Sequence, residues 1–262
     1  MVQRPLRTTK RFLEFLIFST TSVRDFRKSV APAEGSTPDP RQRALWIHRH
    51  ARRLCKILNL TVTTSGPPPQ AAIYGANHLG YLDIVTLGAA TPVVFVSKAE
   101  VRAWPILGQL AECGGTLFLQ REKKGELREV AQRFGPVIRA GIPIVIFLEG
   151  TSSGGDTVMP FRPSLLAPAV QEGWNVAPVG LHYEVSSGKV SDDVAYWRDD
   201  TFLPHFLKLL SQDWIRAQVN FGTARPPGED RKQLAVALRD DVLALRGTSK
   251  QDPQKIVLNS DR

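Results

Sequence analysis

Apolar and polar positions alternate in short blocks between residues 60 and 245, and the pattern predicts strands and helices in turn. The predicted strands are Leu60–Thr64, Ala71–Gly75, Val93–Ser97, Thr116–Gln120, Ile142–Leu148, Val176–His182 and Ala217–Phe221. The predicted helices are Leu82–Ala89, Ala99–Cys113 with Pro105 interrupting it, Glu126–Ala140, Ser164–Glu172, Leu203–Leu210 and Asp230–Leu245. Strands that are apolar throughout are typical of a sheet covered by helices on both faces. We therefore expect an α/β fold with a sheet of seven strands or fewer.

The first 60 residues show a helical period instead, with a proline-rich joint at residues 31–40 between two predicted helices, the second over Arg41–Leu58. The first helix carries one apolar stripe, formed by Phe12, Phe15 or Leu16, Ser19, Val23, Phe26 and Val30. Basic residues flank the stripe, as in helices that lie in the headgroup region of a bilayer. The alternative is a helix that docks on its own domain with its charged face in water.

No apolar run reaches the ~18–20 residues that a membrane-spanning helix needs. A secretory signal ending near Ala31-Pro32-Ala33 is not expected, because Glu14 interrupts its apolar core. We expect a basic helical segment at residues 1–60, the main α/β domain at 61–246 and a disordered polar tail at 247–262. The sequence contains no internal repeat.

The net charge of +9 lies in this first segment, because residues 1–60 hold thirteen Lys and Arg against four acids and the remainder balances. Such a segment is expected to meet an anionic membrane surface through residues 1–30. A protein that only binds lipid or nucleic acid, without catalysing a reaction, is a further interpretation of this charge. Aromatic residues are not interleaved with the basic ones as in single-strand binders, so no nucleic-acid partner is expected.

The two cysteines, Cys55 and Cys113, have no metal-ligand spacing and form no disulfide framework. Unpaired thiols are typical of the cytoplasm. We therefore expect a peripheral protein on the cytoplasmic face of the inner membrane.

His78 is the first candidate for chemistry, because it follows a predicted strand at the end where open α/β sheets bind ligands. Asp83 follows five residues later, at the start of the next predicted helix. A carboxylate there can bind one imidazole nitrogen and leave the other free as a general base, which contributes about 10²–10⁴-fold to a rate. A loop histidine with only local hydrogen bonds is the alternative.

Glu149-Gly150-Thr151 ends the strand Ile142–Leu148 in a glycine-rich turn, where backbone N–H groups can face an anion. An ordinary turn at the end of a strand, without a bound anion, would have the same sequence pattern. Gly150-Thr151-Ser152-Ser153-Gly154 also fits G-x-S-x-G, the nucleophile elbow of α/β-hydrolases, with His205 in the right chain order. An elbow leads directly into a helix, however, and two prolines follow here, so a serine esterase is the more remote reading.

Several motifs together resemble the PlsC-type lysophospholipid acyltransferases, also called glycerophosphate acyltransferases. Asn77-His78-xxxx-Asp83 resembles the first motif of that family, and Phe147-Leu148-Glu149-Gly150-Thr151 resembles its F-P-E-G-T motif. The other matching blocks are Gly114–Arg121, Pro160-Phe161-Arg162 and Ala177-Pro178-Val179. The blocks keep the family's order over roughly residues 70–225, and they imply a glycerophosphate acyltransferase-like mixed sheet flanked by helices.

The resemblance also implies the roles of individual residues. His78 would deprotonate the acceptor hydroxyl and Asp83 would orient it. The remaining motif residues would bind substrate: Asn77, Arg121, Glu149, Gly150, Thr151 and Arg162. The family uses acyl-CoA or acyl carrier protein as donor, acylates a lysolipid, and requires neither a metal nor another cofactor. The resemblance thus implies O-acyl transfer to 1-acyl-sn-glycerol-3-phosphate or a related lysophospholipid.

Departures from the family pattern leave the acceptor open. Ser152 stands where phosphatidate-forming members commonly have Arg, Leu148 replaces the usual Pro and Arg162 replaces a Lys. Losing one cation weakens the case for a phosphate headgroup. The segment 195–205 resembles the lyso-ornithine lipid branch, in which the acceptor is an aminolipid. Lyso-ornithine lipid O-acyl transfer is therefore the alternative activity.

Overall fold

The computed structural model describes residues 4–31, 38–119, 126–247 and 255–257. Its helices are α1 (Pro5–Ser29), α2 (Pro40–Leu58), α3 (Leu82–Ala90), α4 (Leu107–Cys113), α5 (Glu126–Arg139), α6 (Ala167–Glu172), α7 (Val190–Asp193), α8 (Phe202–Ser211) and α9 (Arg231–Gly247). Its strands are β1 (Leu60–Ser65), β2 (Ile73–Ala76), β3 (Val94–Lys98), β4 (Leu117–Leu119), β5 (Ile144–Phe147), β6 (Val176–Val185), β7 (Ile215–Phe221) and β8 (Lys255–Val257). Short 3-10 helices cover Ala99–Ala103 and Pro163–Leu166.

The strands form one mixed sheet in the order β4-β3-β5-β2-β6-β7-β1-β8. Neighbours are parallel except for the pairs β6–β7 and β1–β8. Strand β2 lies between β5 and β6, and Ala76 at its end pairs with Phe147 on one side and Val179 on the other. The chain segments that follow β2 and β5 therefore leave the sheet side by side, which is where the candidate residues lie.

Helices cover both faces of the sheet, as the apolar strands predicted. Residues of α1, α2, α3 and α8 pack on one face, and residues of α5, α6 and α9 pack on the other. Strand β5 contributes to both layers, since Val145 and Phe147 lie in the first cluster and Ile144 and Ile146 in the second. Alternation along a strand thus fills two cores from one apolar run.

Helix α2 begins where its sequence allows. The Asp39 side chain accepts the backbone N–H of Arg41 at 2.9 Å, and Pro40 occupies the first turn, where a missing N–H costs nothing. The helix ends at Asn59, which adopts a left-handed conformation with φ 51°. Strand β1 follows immediately, so the N-terminal helices are directly connected to the sheet.

Helix α1 packs its apolar stripe against the protein, and the expectation that this stripe lies in a bilayer is wrong. Phe15, Phe18, Phe26 and Val30 are all at most 9% exposed. Phe15 meets Phe206 of α8 with ring centroids 4.7 Å apart. The stripe is therefore the inner face of a helix docked on its own domain, which was the alternative interpretation.

A second, shorter apolar row lies on the outer face of α1. Leu6, Leu13 and Ile17 are 89%, 54% and 63% exposed, and the spacing places them on one side of the helix. Leu203 at the start of α8 is 52% exposed. No helix in the described ranges is both long and apolar enough to span a membrane.

The other differences from the predicted elements are local. The predicted helix Ala99–Cys113 divides at residues 104–106 around Pro105 into a 3-10 turn and α4, because proline cannot continue the hydrogen-bond ladder. In the part of the chain that the structure describes, the sheet has eight strands rather than seven at most, since Lys255–Val257 pairs with β1 inside the segment expected to be a disordered tail. The division into residues 1–60 and 61–246 stays a prediction.

Candidate active site

His78 and Asp83 form a hydrogen-bonded pair at the carboxyl end of β2. Nδ1 of His78 lies 2.7 Å from Oδ2 of Asp83, and the same oxygen accepts the backbone N–H groups of Leu79 at 2.6 Å and Gly80 at 3.0 Å. Asp83 is completely buried in the first turn of α3. The carboxylate thereby fixes both the imidazole and the backbone of the loop that carries it.

The second oxygen of Asp83 has its own donor. The hydroxyl of Tyr183, on β6, donates to Oδ1 at 2.7 Å, and Oγ1 of Thr86 lies 3.0 Å from the same hydroxyl. Burial and the neighbouring Asp83 raise the pKa of Tyr183 well above its ordinary value, so the phenol stays protonated and acts as donor. Both carboxylate oxygens are thus satisfied without contact with solvent.

The imidazole of His78 remains accessible from one side. Its side chain is 21% exposed, and its ring stacks on Phe147 of β5 with centroids 4.0 Å apart and planes 16° apart. Because Nδ1 faces a carboxylate, Nδ1 carries the proton and Nε2 is left with a free lone pair. Nε2 is therefore the nitrogen that can accept a proton from a substrate hydroxyl.

Glu149 joins the two motif loops through backbone hydrogen bonds. Oε1 accepts the N–H of His78 at 2.7 Å and Oε2 accepts the N–H of Met159 at 3.0 Å. The N–H of Ser153 in turn donates to the carbonyl of His78 at 2.9 Å. Burial raises the pKa of the Glu149 carboxyl, and the two backbone donors oppose that shift.

Residues 195–197 form a further wall of the site. The N–H of Tyr196 donates to the carbonyl of Leu79 at 2.8 Å. Gly80 has φ +155°, and a Cβ there would lie 2.9 Å from the Tyr196 backbone nitrogen. Only glycine allows this approach, which explains the residue after His78-Leu79.

Asn77 and Arg162 lie beside the pair but are engaged with backbone. The amide oxygen of Asn77 accepts the N–H of Leu181 at 2.7 Å and its amide nitrogen donates to the Leu181 carbonyl at 3.2 Å. Nε of Arg162 donates to the carbonyl of Glu149 at 3.3 Å. These contacts hold the ends of the strands, and the substrate-binding roles of both residues stay predictions.

The remaining candidates occupy the turn after β5. Gly150 has φ +74°, and a Cβ there would lie 2.5 Å from Cδ of Arg162. Thr151 is exposed. Arg121 lies outside the described residues. Their roles likewise stay predictions.

Two arginines of α9 were missed by the sequence analysis. Arg239 donates to the carbonyls of Val158, at 2.7 and 3.1 Å, and Met159, at 3.2 Å. Arg246, two turns further on the same face, donates to the carbonyl of Gly155. Helix α9 therefore holds the loop that presents its N–H to Glu149. The only signal in the sequence was two basic residues seven positions apart, which is also common on solvated helices.

An apolar cavity of about 140 Å³ adjoins the site. Tyr81, Leu82 and Val85 of the His78 loop and α3 form one wall, and Phe15 of α1 and Trp46 of α2 lie on others. Its residues come from elements on both sides of the domain boundary that the sequence predicted. The stripe of α1 is thus part of the wall of this cavity.

The serine esterase arrangement is not present at Ser152. Residues 152–154 have no regular secondary structure and are followed by bends rather than by a helix. Nδ1 of His205 lies 2.8 Å from the hydroxyl of Tyr81, so this histidine is committed elsewhere. The geometry required of a nucleophile elbow is therefore absent from this described segment.

Comparison with known proteins gives concordant matches. Residues 59–182 match the Acyltransferase family. A lyso-ornithine lipid O-acyltransferase of Pseudomonas aeruginosa is 39% identical over 202 residues, which cover 75% of this chain and 77% of that protein. A 1-acyl-sn-glycerol-3-phosphate acyltransferase of Neisseria meningitidis is 26% identical over 213 residues, with 80% and 82% covered.

One solved structure has a similar fold. The crystal structure of the 1-acyl-sn-glycerophosphate acyltransferase PlsC from Thermotoga maritima superimposes with a TM-score of 0.65. The superposition covers 94% of this chain and 97% of that chain at 18% sequence identity. The two proteins therefore share a fold over nearly the whole length of this chain.

Proposed function

This chain belongs to the PlsC-type acyltransferase family, and we propose from that premise that it transfers a fatty acyl group from a thioester to the free hydroxyl of a lysolipid. The observation that carries the proposal is the His78–Asp83 pair, 2.7 Å apart at the end of β2. The pair is the geometry that general base catalysis requires. It lies beside an apolar cavity that an acyl chain fits chemically.

The reaction follows from the placement of the imidazole. Nε2 of His78 accepts the proton of the acceptor hydroxyl while the hydroxyl oxygen attacks the thioester carbonyl. The tetrahedral adduct then expels the thiolate, which takes the proton back from Nε2 and leaves as a thiol. Asp83 stabilises the imidazolium through its hydrogen bond with Nδ1. No metal or cofactor enters these steps, and acyl-CoA or acyl carrier protein serves as co-substrate.

For the acceptor, two candidates follow from the relatives. We propose lyso-ornithine lipid, because the lyso-ornithine enzyme of Pseudomonas aeruginosa is 39% identical to this chain. Ser152 supports the choice, since a neutral residue follows Glu149-Gly150-Thr151. The competing acceptor is 1-acyl-sn-glycerol-3-phosphate, on which the Neisseria meningitidis relative acts by its name.

The enzyme is proposed to act as a peripheral protein on the cytoplasmic face of the inner membrane. Support comes from the exposed row Leu6, Leu13 and Ile17 on α1, which basic residues surround. Apolar side chains in the interface with basic residues around them are typical of helices that lie on anionic lipid. Cys55 and Cys113 are both buried and are not joined in a disulfide, which suits a reducing compartment.

The test is product formation by the purified full chain. Acyl carrier protein and CoA thioesters are each combined with lyso-ornithine lipid, lysophosphatidic acid and lysophosphatidylethanolamine, and products are identified by mass spectrometry. We expect a diacyl product from lyso-ornithine lipid with the wild type and a loss of at least about 100-fold in His78→Ala. Equal product from both proteins would contradict the role of His78.

Ser152→Ala is the matched control for the serine esterase reading. An acyltransferase should keep most of its rate, because Ser152 takes no part in the steps above. An esterase would lose its activity with this serine. Product from lysophosphatidic acid alone would keep the reaction but replace the proposed acceptor.

A further inference from the structure

A groove of about 430 Å³ lies between the N-terminal helices and the edge of the sheet at β4, and among the described residues four arginines line it. They come from four separate elements: Arg27 of α1, Arg43 of α2, Arg102 of the 3-10 turn and Arg133 of α5. We call this the arginine groove. Glu112 is the one carboxylate that lines it among the described residues, and its side chain accepts from Arg102. The groove therefore has an excess of positive charge.

Arg43 is the least exposed of the four arginines. It is half-buried, its Nε is inaccessible to solvent, and that nitrogen has no hydrogen-bond partner. Its stem packs on Gly115, where an added Cβ would lie 3.0 Å from Cδ, and its guanidinium lies over the ring of Phe26. A buried guanidinium N–H without an acceptor is costly, and an anion in the groove would supply that acceptor.

The arginine groove is separate from the pair that performs acyl transfer. Strand β4 is three positions from β2 in the sheet, which at about 4.8 Å per strand corresponds to roughly 14 Å. In a lysophosphatidic acid the phosphate and the free hydroxyl sit on adjacent carbons. An anion in the groove is therefore not the headgroup of an acceptor whose hydroxyl lies at His78.

The groove does meet the apolar cavity. Thr116 lines both, and Phe26 of the groove belongs to the same helix as Phe15 and Phe18 of the cavity. A ligand with a charged group and an apolar or extended part would therefore find complementary walls on the two sides of Thr116. Such a ligand is an amphiphile rather than a bare ion.

We propose that the arginine groove binds a phosphate ester, with Arg43 and Arg27 as its principal ligands. Arginine presents planar N–H donors that match phosphate oxygens in pairs, and four guanidiniums against one carboxylate favour a multiply charged anion. Phosphate esters reach this enzyme from two sources, the soluble thioester carrier and the headgroup of an anionic membrane lipid. The chemistry that the groove recognises is the same for both.

The test measures binding and so does not depend on acyl transfer. Titration calorimetry of the full chain uses inorganic pyrophosphate and coenzyme A, and sedimentation uses vesicles of phosphatidylglycerol against phosphatidylcholine. The variant is R27Q/R43Q. Its matched control, R24Q/R41Q, removes two charges from the same two helices at exposed positions that do not line the groove. Arg133→Gln provides a third, independent variant at the far wall, where disturbance of the α1–α2 contact is not expected.

We expect R27Q/R43Q to weaken binding of at least one phosphate probe by about tenfold or more, while R24Q/R41Q changes it less than twofold. Arg133→Gln should weaken the same probe by a smaller factor. Loss with coenzyme A identifies the soluble carrier, and loss with phosphatidylglycerol vesicles identifies the lipid headgroup. Equal losses of affinity in the two double variants would show that net charge alone explains the binding, and would overturn the proposal. Unchanged binding in R27Q/R43Q would overturn it as well.

Discussion

The hydroxyl of Tyr183 donates to Oδ1 of Asp83 at 2.7 Å, while the other oxygen of the same carboxylate binds His78. Strand β6 is therefore linked to the imidazole of His78 by two hydrogen bonds, with the carboxylate of Asp83 between them. Tyr183 touches no substrate in the proposed reaction, so we expect it to act only by positioning Asp83 and His78.

Tyr183→Phe tests this relation, because it keeps the ring and removes the donor. A hydrogen bond to a charged group contributes about 1.5–3 kcal/mol, so we expect kcat to fall by about tenfold with KM for both substrates nearly unchanged. The matched control is Tyr74→Phe, since Tyr74 is also buried but donates to the carbonyl of Pro69 at the other end of β2. A similar loss of kcat in both variants would indicate general destabilisation.

Asp83→Asn should have a larger effect than Tyr183→Phe. The amide cannot hold the Nδ1 proton of His78 as a carboxylate does, and an inactive tautomer becomes accessible. We expect kcat to fall by about 10²–10⁴-fold, measured under saturating substrates. Asp199→Asn is the control, because Asp199 is exposed. Activity retained in Asp83→Asn would contradict the proposed general base mechanism.

Arg239→Gln tests whether α9 holds the loop next to Glu149. Removing the donors to Val158 and Met159 leaves partly buried carbonyls with fewer partners, at a cost of about 1–3 kcal/mol. We expect a lower thermal midpoint and a several-fold lower kcat. Arg231→Gln, an exposed change at the start of the same helix, should alter neither. A drop in stability without a drop in kcat would limit Arg239 to a structural role.

The membrane proposal is tested at the outer face of α1. Deleting residues 1–30 is a poor test, because it would expose the core around Phe15 and Phe26. L13Q/I17Q instead removes two exposed apolar side chains, and burial of each would contribute about 1.5–3 kcal/mol. We expect vesicle binding to fall by at least about tenfold.

The matched control for that experiment is V236Q/L243Q, which removes two exposed apolar side chains, 63% and 36% accessible, from α9. Vesicle sedimentation of both double variants gives the comparison directly. If the two variants bind alike, α1 does not provide the membrane contact.

Stability should fall on mild acidification. Burial lowers the pKa of His205 in the folded chain, although Asp200 opposes the shift, and burial likewise lowers the pKa of His48 and His50. The unfolded chain then binds more protons than the folded one near the ordinary histidine pKa. The stabilisation from neutral histidine is complete above about pH 6.5 and is lost as the pH falls through the lowered folded values.

The thermal midpoint should therefore decrease between pH 7.5 and pH 5. Burial raises the pKa of Glu149, which acts in the opposite direction, so the comparison needs a variant. His205→Gln keeps an acceptor for Tyr81 and removes one titrating group, and we expect a shallower decrease than in the wild type. An identical slope would exclude His205 as a contributor.

The pair His78 and Asp83 could be predicted from the sequence because the two residues are close together along the chain. His78 and Asp83 are five residues apart on a strand, a loop and the first turn of a helix, and such spacing fixes their geometry before any packing is known. Tyr183 is 100 residues from Asp83, and its contact depends on β2 pairing with β6. No local pattern reports such a pairing.

The apolar stripe of α1 shows a different limit of prediction from sequence. The period correctly predicted a helix and an apolar stripe, but a period does not say whether lipid or protein covers the stripe. Phe206 and Trp46, which do cover it, lie on helices separated from it along the chain. The eighth strand was missed for a similar reason, since Lys255–Val257 has no counterpart nearby in sequence and pairs with β1.

Because the inner face of α1 is also a wall of the apolar cavity, moving this helix into a bilayer would open the cavity and expose its other apolar walls. A leaflet that accepts Leu13 and Ile17 would instead receive the molecule as a rigid body, with the axis of α1 parallel to the lipid plane. The 25-residue helix is about 37 Å long, long enough to set the tilt of everything attached to it. The fold would then hold His78 at a fixed distance from the phosphate groups of the lipids.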